Sequence, residues 1–279
     1  MSSTERPISQ PEINGHPGAW VLGHNQQQGG SVLQAGGRAL LIQSELTQAL
    51  STLRGRLGAR AMMAAGMHRG IMNYTAFRPK AMMEVIRRVM MATVATPTVL
   101  DPAAGYSPQM IWMAQEMPYA QFIEVDSPDV AADKLIRLSR FNLPDNHNIL
   151  GVDLNERDLD SVLKGNQVDV IIAIGAYVDP VAFVNYLDYL RRFLTKTGKI
   201  ISALPYGPAI DEVKAHSAIF RRFGGELAGT VHSLDEIRTR LDRADFQHIS
   251  TYRLSELARD LDHPIPADLE VLTVAQPNH

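Results

Sequence analysis

Thr98-Val99-Leu100-Asp101-Pro102-Ala103-Ala104-Gly105-Tyr106-Ser107 reads as a short buried strand running into a turn of small residues. A second strand, Gln121-Phe122-Ile123-Glu124-Val125-Asp126, follows and closes on an acid. In an open α/β sheet this order makes a nucleoside site, with the acid about 20 residues beyond the turn. Small residues let the backbone approach a ligand, and the acid accepts from two ribose hydroxyls. A lone Gly105 would suit any strand-turn-helix. The acid at the next strand end turns the reading toward a ligand.

The turn is not a dinucleotide fingerprint, because Gly105 is its one glycine and G-x-G-x-x-G needs three. A G-x-x-x-x-G-K-[ST] phosphate loop occurs nowhere in the chain. A site of this kind suits a nucleoside without phosphates, which points to S-adenosylmethionine (SAM).

Leu100-Asp101-Pro102-Ala103-Ala104-Gly105-Tyr106-Ser107 resembles motif I of class I SAM-dependent methyltransferases. More narrowly it resembles the leucine carboxyl methyltransferase-like group, whose version reads roughly L-G-A-G-F-D. Phe122-Ile123-Glu124-Val125-Asp126-Ser127-Pro128-Asp129-Val130, with Lys134 after it, is similar to that group's E-V-D-x-P-x-V…K. Val152-Asp153-Leu154-Asn155 resembles its D-L-R segment, and Arg78 sits where the group carries an arginine, ahead of a helix leading into the first strand. The resemblance runs from Arg78 to the C-terminus. It departs on the fourth strand, Val168 to Tyr177, where Ile174 stands in place of a glutamate before the glycine. That glutamate helps hold the methionine ammonium in the group, so backbone carbonyls near Ile174 or Gly175 would take over here.

Apolar strands are expected near 98–101, 121–125, 148–153, 168–174 and 198–204, alternating with helices near 108–117, 128–140, 156–164, 180–195, 209–223 and 234–243. Such alternation builds a doubly wound, mostly parallel sheet. The last strands, near 246–253 and 269–275, should form a hairpin at one edge. The resemblance implies a Rossmann-like seven-stranded methyltransferase sheet with an N-terminal helical cap. The expected organisation is a flexible arm at 1–37, a helical cap at 38–95 and the SAM-binding domain at 96–279. The arm is rich in Gly, Gln, Ser and Pro, as in Gln26-Gln27-Gln28-Gly29-Gly30.

In the cap, Met82, Val85, Ile86 and Val89 recur at helical spacing. Pro79 suits the first turn of that helix. Eight of the twelve methionines lie between Met62 and Met91, and methionine fills irregular apolar space. The stripe is either helix packing or a wall of the acceptor pocket with Met67 and Met72 facing the substrate, and a lid over the strand ends would serve as both.

Each part of SAM asks for a different partner. Arg78 can take the carboxylate through a bidentate pair. Backbone at Ala103 and Gly105 can lie along the methionine moiety. Asp126 can accept both ribose hydroxyls, with Glu124 on the same strand face as the fallback. Asp153 should accept from the adenine amine while Leu154 packs on the ring. Asp153 as a helix N-cap is the plainer alternative. Tyr106 and Tyr177 follow the first and fourth strands and should border the methyl group. No dedicated catalytic residue is needed for a carboxylate acceptor. A hydroxyl acceptor would gain from a general base, for which His68, His216 and His232 qualify by type alone.

Composition narrows the partners. At 279 residues the chain can bury a full core. A net charge of -3 gives no sign of a nucleic-acid or anionic-membrane surface. The absence of cysteine removes disulfides, thiolate zinc sites and a cysteine nucleophile, and no metal is expected. With no segment resembling a signal peptide or a membrane span, the expected setting is cytoplasmic. The leading reading is SAM-dependent O-methylation of a small, fairly apolar molecule. A SAM-fold protein that transfers no methyl group, a nicotinamide-dependent dehydrogenase and a scaffold remain as alternatives. The sequence leaves the acceptor and the oligomeric state open.

Overall fold

The computed structural model describes residues 69–105, 107–139, 141–152, 159–173, 180–209, 211 and 230–278, with backbone alone at 69–73, 75, 76 and 180–182. The expected arm at 1–37 therefore lies outside the described residues. So do Met67, His68, Tyr106, Asp153, Leu154, Ile174, Tyr177, His216 and the side chain of Met72.

Seven strands form one sheet: β1 Thr98–Asp101, β2 Gln121–Asp126, β3 His147–Gly151, β4 Val168–Ala173, β5 Leu194–Pro205, β6 Phe246–Arg253 and β7 Glu270–Pro277. Their order is β3-β2-β1-β4-β5-β7-β6. The first five run parallel, and β7 enters antiparallel between β5 and β6. The central strands are nearly continuous apolar runs because helices cover both faces. This is the mostly parallel sheet expected from the strand-helix alternation, in the Rossmann-like seven-stranded form that the resemblance implies.

The helices are α1 Arg69–Met91, α2 Gln109–Glu116, α3 Pro128–Leu138, α4 Leu159–Leu163, α5 Pro180–Arg191, α6 Leu234–Arg243 and α7 Leu254–Asp260. Phe77, Met82, Val85 and Ile86 of α1, Met110 and Met113 of α2, and Leu254 and Leu257 of α7 share one core with Val99, Val170, Ile172, Ile201, Leu272 and Val274 of the sheet. Helices α4, α5 and α6 bury Leu159, Phe183, Leu187, Ile237 and Leu241 on the opposite face. Helix sides thus swap between β1 and β4, where the chain direction of winding reverses.

Two sequence expectations change. Pro79 lies well inside α1 rather than in its first turn. A proline there lacks the N–H that would bond one turn back. Burial of Phe77, Ala81, Met82, Val85 and Ile86 outweighs that loss, since tertiary packing supplies most helix stability. Second, the described part of the cap segment packs along a sheet face, not across the strand ends. Met82 and Met90 are core filling there, while Met91 is 76% exposed. Strands β6 and β7 pair antiparallel at one edge as expected, with α7 in the connection between them.

Asn146 shows how local chemistry sets the entry to the sheet. Its buried amide reaches the carbonyls of Ala114, Met117 and Ala120 at 3.1, 3.0 and 2.8 Å. These carbonyls lie at the end of α2 and in the turn ahead of β2, where a helix leaves acceptors short of partners.

Candidate functional site

In open α/β sheets ligands bind beyond the carboxyl ends of strands where the strand order reverses. Here that point lies between β1 and β4, and Asp101 ends β1 while Asp126 ends β2. Asp101 pairs in register with Glu124, and Asp126 with Gly151.

The turn after β1 is tied down by hydrogen bonds. Ala103 N–H donates to Asp101 Oδ1 at 3.2 Å, and Ala104 N–H to the Val125 carbonyl at 3.3 Å. Gly105 N–H donates to Asp126 Oδ2 at 2.7 Å, and Ser127 N–H to Asp126 Oδ1 at 2.8 Å. Each carboxylate oxygen has a second lone pair, so Asp126 can accept two more hydrogen bonds. Gly105 has φ +51°, the left-handed region that glycine enters without strain. Among the described residues, its chain neighbours aside, no atom lies within 4 Å of where a side chain on Gly105 would begin, so a ligand can lie along this backbone.

Beneath the turn is a buried charged cluster. Lys134 of α3, 1% exposed, forms an ion pair with Glu124 and donates to the Ser107 carbonyl at 2.8 Å. His147 Nε2 lies 3.2 Å from Glu124 Oε1, although off the line of a hydrogen bond. Burial pushes Glu124 up, but Lys134 and His147 outweigh it and hold the carboxyl below its ordinary range. Asp101 has the opposite balance. Burial, then the nearby Glu124 charge, push it up to about 7, against the pull of the Ala103 N–H and Lys134. Tyr186 of α5 is raised by burial and then by the Asp101 charge.

Ala103, Gly105 and Asp126 are brought together as the sequence suggests. Glu124, the fallback ribose acceptor, is not available for that role. Its carboxylate is committed to Lys134 inside the protein, because a buried charge needs a partner. Arg78 is inside α1 rather than ahead of it, and Nε lies 2.6 Å from Glu270 Oε1. Glu270 begins β7 opposite Pro205, at the carboxyl end of β5. Strands β4 and β5 separate β7 from β1. Among the described histidines, His232 is exposed and its ring covers Gly207, where an added Cβ would meet Nδ1 at 2.3 Å.

Three residues without an expected role join the site: Asp101, Lys134 and His147. Asp101 could have been found as the acid ending the first strand. Lys134 stood in the quoted motif. His147 carried no signal, since only the pairing of Phe122 with His147 across β2 and β3 brings it to Glu124.

The sequence matches no protein-family model and no curated protein. Solved structures share its fold. Magnesium protoporphyrin IX methyltransferase (ChlM) from Synechocystis PCC 6803, solved with bound SAH, is similar with a TM-score of 0.53 at 14% identity, over 74% of this chain and 86% of that one. The pyocyanin biosynthetic protein PhzM has a TM-score of 0.51 at 15% identity, over 85% of this chain but only 64% of PhzM. A possible exported protein from Bordetella parapertussis has a TM-score of 0.56 at 12% identity, covering 98% of this chain and 100% of its own. The fold is therefore the Rossmann-like fold seen in methyltransferases.

Proposed function

We propose that the chain is a SAM-dependent methyltransferase acting on oxygen of a small, fairly apolar hydroxyl- or carboxyl-bearing molecule. The observation that carries this reading is the Gly105 N–H donated to Asp126 at the ends of β1 and β2. It sets an open glycine backbone beside a carboxylate with acceptor capacity left, as an adenosine ligand without phosphates requires. The fold shared with ChlM, a methyltransferase solved with SAH, supports the same reading. The ordered motifs around Gly105, Asp126 and Asp153 support the leucine carboxyl methyltransferase-like group within that class, and with it an oxygen acceptor.

In this reading Asp126 holds the ribose, and backbone at Ala103 and Gly105 flanks the methionine moiety. Asp153 and Leu154 take the adenine, and the Ile174 carbonyl helps with the ammonium. Arg78 takes the carboxylate, and it must do so while paired with Glu270. The cofactor supplies a methyl group activated on a sulfonium. The protein aligns an acceptor with that methyl and excludes water. Tyr106 and Tyr177 border the acceptor, with Met67 and Met72 on its apolar wall. A carboxylate acceptor needs no general base. The formal charge of -3 fits a small-molecule partner rather than nucleic acid. Among the described residues no helix is long and apolar enough to cross a membrane.

Calorimetric titration with SAM, SAH and NADH tests the reading. Binding of SAM and SAH is expected, with no heat from NADH. Labelled SAM and a panel of small carboxylates and phenols then reports methyl transfer. A protein that binds NADH and neither adenosyl-sulfur ligand would end the methyltransferase reading.

A further inference from the structure

We propose that Lys134 is a positioning residue that clamps the turn after β1 to the end of β2. Among the described residues the turn has four ties to its surroundings. Three come from backbone N–H groups of Ala103, Ala104 and Gly105 to acceptors on β1 and β2. The fourth runs the other way, from the buried Lys134 ammonium to the Ser107 carbonyl. Lys134 is itself held by Glu124 on β2, and His147 on β3 stands on the far side of that carboxylate. One side chain thus links α3, β2 and the exit of the turn. A purely structural ion pair would not need the Ser107 carbonyl, and in a residue only 1% exposed the ammonium spends one of its hydrogen bonds on it.

The geometry has a directional consequence. Ser107 N–H donates to Ala104 O at 3.2 Å, which ties Ser107 to the turn that contains Gly105. Releasing Ser107 should loosen the loop that faces the methionine part of the ligand, while Asp126, on a strand paired to both neighbours, stays in place. Affinity should fall for ligands that carry the methionine moiety and not for adenosine alone.

The ligand half of this inference rests on the cofactor reading; the loop half does not. The test is therefore double. In the variant Lys134→Met with Glu124→Gln, no uncompensated charge remains from the pair. Hydrogen exchange of the free protein should speed up about tenfold in peptides covering 103–109, the scale of one lost charge-assisted hydrogen bond, with 121–126 and 168–173 unchanged. Titration should show SAH weakened about tenfold and adenosine within about twofold of wild type. Glu124→Gln alone keeps the Lys134 bond to Ser107 but leaves its charge without the buried partner, so any faster exchange should spread with lowered stability across the sheet rather than concentrate at 103–109. If the double variant does not fold, Lys134→Arg, whose donors sit elsewhere, gives the same readings in milder form. Unchanged loop exchange in a folded variant of Lys134, or equal acceleration across its whole sheet, overturns the clamp. Loop acceleration in a protein that binds neither SAH nor adenosine keeps the clamp and discards the cofactor reading.

Discussion

Asp101 and Asp126 end neighbouring strands one apart in the sheet, yet their surroundings give them different work. Asp126 is partly open and accepts from two backbone amides. Replacing it by Ala should leave the sheet intact and weaken SAM by roughly 1–3 kcal/mol, read by calorimetry. Equal affinity in a folded variant would remove it from the ribose. Asp101 is buried beside Glu124, and its folded pKa of about 7 lies above the ordinary 3.8. The folded protein therefore keeps this proton while the unfolded chain gives it up. Stability from Asp101 is complete below about pH 4 and is lost as pH rises through about 7, a change on the order of 4 kcal/mol. Glu124, held low by its partners, works in the opposite sense and loses its contribution as pH falls. Asp101→Asn keeps an acceptor for the Ala103 N–H and cannot ionise. Urea denaturation of the free protein should show it matching wild type near pH 4 and exceeding it at pH 8. A gap between the variant and wild type that does not open between those values would contradict the buried acid.

Helix α1 carries the next consequence. Its Arg78 and the Glu270 of β7 are an ion pair, the carboxylate almost fully buried. Removing the cation alone leaves a buried unpaired charge, so Arg78→Met should destabilise by roughly 3–5 kcal/mol. Adding Glu270→Gln should restore most of that. The double variant then separates two roles for Arg78. SAM affinity reduced in a protein of restored stability assigns Arg78 to the cofactor carboxylate, while full affinity leaves it as the pin between helix and sheet. The methionines call for separate tests. Met82 is 0% exposed in the core, so Met82→Ala should cost roughly 2–5 kcal/mol in a thermal or denaturant melt. For Met67 and Met72 we expect the reverse pattern, in which substitution by Ala shifts acceptor KM or product distribution with SAM affinity unchanged. A Met72→Ala variant that loses stability like Met82→Ala would make it a core residue too.

Across the whole molecule, what could be read ahead of the structure follows the range of the interactions involved. Strand-helix alternation from Thr98 onward reported the sheet because burial on both faces forces apolar runs, and that pressure acts on each segment by itself. Gly105 and Asp126 were legible for a similar reason: a turn that needs φ +51° and an acid closing the next strand are local choices, and adjacent parallel strands bring them together. Helix α7 and the position of Pro79 inside α1 were not legible, because packing against the sheet overrode a local breaker and stabilised a short helix. The partner of Glu124 could not be read either. From one strand it looks like a spare ligand for the ribose; only the fold brings Lys134 from α3 and His147 from β3 against it and withdraws it from the surface. Arg78 and Glu270 lie 192 positions apart in the chain (270 − 78) and meet because β7 inserts beside β5. Local patterning set the layers and the turn, since each segment must bury its own apolar face. Which charges face a ligand and which neutralise one another was left to the folded chain, because a charge's role depends on neighbours that sequence distance does not report.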